Sequence, residues 1–208
     1  MSPMNALVAT PKPSMTADEF WDFCLLPENE NRSFELIRGK VVEVSRPTKK
    51  HGIVSLNVGF VLKLYVRKTR KGYVVSNDSG VLLETDPDTV VGPDIAYFTD
   101  ARTFAEVHPK WGEEPPVLAV EVLLPNDKPN KVNAKVRDYL KGGVKLVWLV
   151  DFEERTVCVY RPNRNLDVLV ESDVLNGGEE LPGFSCPVAE LFLLDGEHPV
   201  ESSTSAGT

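Results

Sequence analysis

The sequence predicts a mixed α/β domain, one mixed sheet flanked by helices, and three observations carry that expectation. Val117 to Leu124 is apolar except for Glu121, as in a central strand covered on both faces. Val144 to Val150 has the same character, and the segment between the two runs has helical periodicity ended by Gly142-Gly143. Shorter strand-like segments bounded by Gly, Asn, Asp and Pro surround this unit. The predicted order is helix, hairpin, helix, three strands, helix, strand and then a β extension.

Each element has its own reason. Thr16-Ala17-Asp18-Glu19 has the spacing of a capping box and predicts a helix to about Leu26, stopped by Pro27. Ser33–Ile37 and Lys40–Val44 flank Arg38-Gly39 as a tight hairpin. From His51 to Lys71, Ile53, Leu56, Phe60 and Leu64 fall at helical spacing and predict the buried stripe of a helix. Cations fill its last turn and Gly72 ends it. Tyr73–Val75, Gly80–Leu83 and Ile95–Phe98 read as a meander. Val132, Val136, Tyr139 and Leu140 form the apolar stripe of the next helix. Thr156–Tyr160 and Leu166–Val170 predict a further hairpin, and the remainder through Phe192 reads as irregular. Residues 1–14 are expected to be a loose leader, 15–194 a single domain, and 195–208 an acidic, Ser-rich tail.

Charge is unevenly distributed over the 208 residues. The formal net charge of -8 argues against a protein that is basic as a whole. No Lys or Arg follows Arg164, whereas nine acids do; between Arg38 and Lys71 ten cations face the single acid Glu43. The chain therefore combines basic stretches with an acidic C-terminal part. Cys24, Cys158 and Cys186 show no paired spacing and suit a reducing, cytoplasmic compartment. No apolar run approaches the ~18 residues of a membrane span.

Glu121 is the most informative residue. A charge inside an otherwise apolar strand requires a cation, a metal or a proton, and a structural ion pair would satisfy it as well as a metal would. Gly92-Pro93-Asp94 places a second carboxylate at the head of the strand Ile95–Phe98. If the two strands are neighbours, Asp94 and Glu121 converge, and two hard oxygen ligands suit Mg²⁺ or Mn²⁺. Lys135 shares a helical face with Lys128 and Lys131 directly after the carboxylate strand, where a lysine could orient or deprotonate an attacking water. Glu35 reads either as an outer member of this group or as a hairpin carboxylate paired with Arg38 or Lys40. His51 follows Lys49-Lys50 at a helix start, as a phosphate contact or as a simple cap residue.

The ordered set Phe34-Glu35-Leu36-Ile37-Arg38-Gly39, His51, Pro93-Asp94, Val120–Asp127, Lys135-Val136-Arg137-Asp138-Tyr139 and Val147–Asp151 resembles the Uma-type restriction endonucleases of bacteria, within the PD-(D/E)xK nuclease superfamily. The resemblance runs from about Met15 to Phe192. It implies a restriction-endonuclease-like core with Asp94 and Glu121 as metal ligands. In the superfamily motif the lysine stands two residues after the glutamate, and that position here is Leu123. The resemblance moves the role to Lys135 on the following helix, with Lys131 in reserve.

These readings together predict a Mg²⁺- or Mn²⁺-dependent endonuclease that hydrolyses DNA phosphodiester bonds without an organic cofactor or a membrane. Asp94, Glu121 and Lys135 would be catalytic, and Glu35, His51 and Lys131 auxiliary. Arg46–Lys50, Arg67–Lys71 and Lys128–Lys145 would contact the phosphate backbone. Cutting both strands is simplest for a homodimer. A catalytically inactive nuclease-fold module that binds nucleic acid or a protein is the alternative; metal-free acid/base hydrolysis of a small substrate accounts for neither the lysines nor the basic stretches.

Overall fold

The computed structural model describes residues 14–112, 114–194 and 196–197. The expected leader and tail lie outside the described residues, apart from Ser14, Gly196 and Glu197.

Helix α1 (Ala17–Cys24) starts with the predicted capping box between Thr16 and Glu19. β1 (Phe34–Ile37) and β2 (Lys40–Glu43) form the expected hairpin around Arg38-Gly39, both in left-handed conformation. α2 (Lys49–Thr69) follows, capped by the Thr48 hydroxyl and ended by left-handed Arg70. Then come β3 (Tyr73–Ser76), β4 (Val81–Glu84), β5 (Thr89–Val91) and β6 (Ile95–Phe98). β7 (Leu118–Val122), α3 (Pro129–Lys141) and β8 (Leu146–Asp151) form the predicted strand–helix–strand unit. β9 (Thr156–Tyr160) and β10 (Asp167–Leu169) form the predicted second hairpin.

The central sheet has six strands in the order β10-β9-β8-β7-β6-β3. It is mixed: β7 and β8 are parallel, and every other pair is antiparallel. α2 covers one face, where Val54, Val58, Leu62 and Tyr65 pack against Val120, Val122, Trp148 and Val150. α3 covers the other, where Val136 and Tyr139 meet Ala119, Val147 and Leu149, with Val81, Leu83 and Val91 beyond. A smaller four-stranded sheet, β2-β1-β5-β4, packs Leu36 and Val90 against Phe20 of α1.

Three expectations are corrected. The meander does not form: β3 pairs directly with β6, while β4 pairs with the additional strand β5 in the smaller sheet. Asn77 and Asp78, consecutive left-handed residues, turn β4 out of the main sheet. The buried stripe of α2 lies on a different face from the one predicted. Leu56, Phe60 and Leu64 are 72%, 59% and 46% exposed, whereas Val58 and Leu62 are fully buried. Finally, the segment read as irregular contains a small hairpin, β11 (Val174–Asn176) with β12 (Ser185–Pro187), and a 3-10 turn at Val188–Phe192. Among the described residues no helix is long and apolar enough to cross a membrane.

Candidate active site

Asp94 immediately precedes β6, and Glu121 is the fourth residue of β7. The register pairs Ile95 with Val120, so one further step sets Asp94 beside Glu121. The Val122 N–H donates to Asp94 Oδ2 at 2.7 Å, fixing that carboxylate to the neighbouring strand. Convergence of the two carboxylates therefore follows from antiparallel pairing of β6 with β7.

α3 supplies the positive charge. Lys135 Nζ lies 2.9 Å from Glu121 Oε2 and 2.8 Å from Glu35 Oε1, bridging two carboxylates from different sheets. Glu35 Oε1 also accepts the Gly92 N–H at 3.3 Å. One turn after Lys135, the Tyr139 hydroxyl donates to Glu121 Oε1. An ion pair of 2.7 Å between Arg38, in the β1–β2 turn, and Asp138 ties this helix to the hairpin that carries Glu35. His51, in the first turn of α2, places Nε2 3.1 Å from Asp94 Oδ1, with its Nδ1 3.4 Å from the Ser55 hydroxyl.

Burial governs the electrostatics. It pushes the Glu121 carboxyl up to about 7; Lys135 opposes the rise, while Asp94 and Glu35 add to it. The same burial works against the Lys135 ammonium, but Glu121 and Glu35 outweigh it and hold the group charged above the usual lysine range. For His51, burial is outweighed by the bond and charge of Asp94, which raise the imidazole. The Tyr139 hydroxyl is raised by burial and by Glu121, so it remains a donor.

The structure brings together Glu35, His51, Asp94, Glu121 and Lys135. Glu35 pairs with Lys135 and not with Arg38 or Lys40, and His51 is buried against Asp94 instead of lying on the surface as a cap. Lys131 does not join them; it is exposed at the start of α3. Two residues of the site escaped the sequence reading. Tyr139 looked like a core residue, although its spacing of four from Lys135 puts both on one helical face. Asp78 looked like a turn residue. Its backbone packs so closely on Gly92 that a Cβ there would lie 2.6 Å from Asp78 O, which seats the turn beside Asp94. Burial and the Asp94 charge raise the Asp78 carboxyl.

The donor set fits a hard divalent cation. Glu35, Asp94 and Glu121 together carry more negative charge than Lys135 neutralises. Each carboxylate offers about four lone-pair positions, and those of Asp94 and Glu121 are only partly used by His51, Val122, Lys135 and Tyr139. The present arrangement is closed by these internal partners, and among the described residues no group of three or more His, Cys, Asp or Glu already encloses a metal position.

The profile of the Uma2 family, described as "Putative restriction endonuclease", matches residues 17–189. The chain belongs to the Uma2 family. A crystal structure of "a putative nuclease belonging to DUF820" from Anabaena variabilis is similar at 26% identity and a TM-score of 0.72, covering 86% of this chain and 97% of that one. No curated protein matches. This Uma2 chain thus has the fold expected of a nuclease, and its carboxylates and lysine meet at the end of the β6–β7 pair. Restriction-endonuclease-like proteins generally use a divalent metal.

Proposed function

We propose that this Uma2 chain is a divalent-metal-dependent endonuclease that hydrolyses DNA phosphodiester bonds, acting as a cytoplasmic homodimer. The observation that carries the reading is one lysine held between Glu35 and Glu121, with Asp94 alongside, in a site that is short of positive charge. Mg²⁺ or Mn²⁺ held by Asp94 and Glu121 would supply Lewis acidity at the scissile phosphate and lower the pKa of a bound water. Lys135, kept charged by two carboxylates, acts as a donor and not as a base: it orients the attacking water and neutralises charge developing on the phosphoryl oxygens. His51 holds the Asp94 carboxylate in place from the opposite side.

Phosphate contacts divide by position. Lys49 and Lys50 begin α2 beside His51, and Lys128 and Lys131 are exposed at the start of α3. Arg67–Lys71 lie at the other end of α2, ~30 Å along its axis, and can meet only DNA remote from the cut.

Supercoiled plasmid, linear duplex and single-stranded DNA incubated with the purified protein and Mg²⁺ or Mn²⁺ test the proposal. Cleavage should fall at least ~10²-fold in Asp94→Ala and in Lys135→Ala. Intact substrates alongside a cutting control enzyme would overturn it.

A further inference from the structure

We propose that Tyr139 is a positioning residue, whose buried hydroxyl fixes the Glu121 carboxylate in the orientation required to receive a cation. Tyr139 stands four residues after Lys135 on α3, so both side chains project from one face toward the same carboxylate. They divide it between them: Lys135 takes Oε2 and Tyr139 takes Oε1. The tyrosine ring is fully buried among Ala119, Val136, Val147 and Leu149, so its hydroxyl is delivered by a body that cannot swing away.

The lysine cannot do this work alone. Its ammonium is shared with Glu35 Oε1 at 2.8 Å, and it reaches the site on a flexible four-carbon stem. A point charge between two carboxylates attracts both without setting the rotation of either. The phenol is directional, rigidly held and committed to a single oxygen of Glu121. Lys135 thus supplies charge, and Tyr139 supplies orientation. Outer hydrogen bonds of this kind, when removed from carboxylate or histidine ligands, typically cost ~10- to 100-fold in metal affinity.

Tyr139→Phe tests the inference, because it deletes the hydroxyl and leaves the packed ring. Two measurements are needed, and only the second rests on the metal-dependent nuclease reading. In the metal-free protein, a crystal structure of the variant should show the Glu121 carboxylate turned away from its original position, with the ring unmoved and the melting temperature within ~3 °C of the parent. By titration calorimetry, Mn²⁺ affinity should fall ~10-fold or more, while DNA affinity without metal stays constant. Where cleavage is measured, kcat should drop and KM hold. If Glu121 keeps its position and Mn²⁺ binds equally well, Tyr139 only packs. If the parent itself takes up no Mn²⁺, the nuclease reading fails, and the metal-free structure decides the role of Tyr139 by itself.

Discussion

Glu121 concentrates the chemistry of the site and also its cost. Its folded-state pKa of about 7 lies above the ordinary 4.5, so the folded protein binds this proton more tightly than the unfolded chain does. Stability linked to that proton is complete below about 4.5 and is lost as pH rises to about 7. His51 acts in the same direction: its pKa is raised above 6.5, so its contribution is complete below 6.5 and fades above it. The depressed carboxylates, Glu43 and Glu171 among them, have already made their contribution above their ordinary value of 4.5 and leave this window unaffected. Thermal melts in chelator should therefore show a melting temperature that declines from pH 5 to pH 8. Glu121→Gln should flatten the decline, and Mg²⁺ should raise the melting temperature more at pH 8 than at pH 5. An unchanged slope in Glu121→Gln would contradict this account. Glu121 was legible in the sequence because a lone charge in an apolar run stands out. Asp78 was not, because its place beside Asp94 depends on a tertiary approach to Gly92. Tyr139 was hidden by its own chemistry: an apolar ring with a polar tip satisfies the pattern of a core stripe while its hydroxyl serves the site.

At the level of elements, the sequence revealed which segments become helix or strand better than which faces they bury. In α2, Ile53, Leu56, Phe60 and Leu64 form as good a periodic stripe as Val54, Val58, Leu62 and Tyr65; the two lie on nearly opposite sides of the helix, and periodicity cannot rank them. His51 lies on the same face as Val54, Val58 and Leu62, so its contact with Asp94 is made from the face that meets the sheet. Leu62→Ala should accordingly cost about 2–5 kcal/mol, whereas Phe60→Ala should stay within ~0.5 kcal/mol, as read from urea unfolding. Equal losses would return the buried stripe to the face first read from the sequence. Strand pairing was partly legible for a related reason. Neighbours in sequence were expected to be neighbours in space, which holds for β1–β2 and β9–β10 but fails for β3–β4, because the Asn77–Asp78 turn diverts β4 to β5. That diversion is also what sets Asp78 beside the site.

Over the whole molecule, the charge of -8 separates into parts with different fates. Within the C-terminal acids, Glu171 pairs with Arg155, Glu180 and Asp167 pair with Arg161, and Glu179 pairs with Arg164, so these acids are partly neutralised inside the β extension. Asp195, Glu197 and Glu201 follow, and no Lys or Arg comes after them. The chain just before them is held beside α2, where Asn57 donates to the carbonyl oxygens of Leu191 and Leu193 at 3.1 and 2.8 Å. Asn57 is six residues, or ~9 Å of helix rise, from His51. On the expectation that the acids beyond Leu194 screen the cleft, they would repel a phosphate arriving at the start of α2 over about a Debye length, ~10 Å at ~0.1 M salt. A chain ended after Leu193 retains both Asn57 bonds, loses those three acids and changes formal charge from -8 to -5. Its affinity for a short DNA duplex in chelator should rise ~2- to 5-fold at ~20 mM salt. The gain should vanish by ~0.5 M, where the Debye length shrinks to ~4 Å. Fluorescence anisotropy across a salt series measures both ends of the prediction. Equal affinities at low salt would mean that the acidic tail is directed away from the cleft, and would leave repulsion by Asp94, Glu121 and Asp78 as the electrostatic barrier a divalent cation has to relieve.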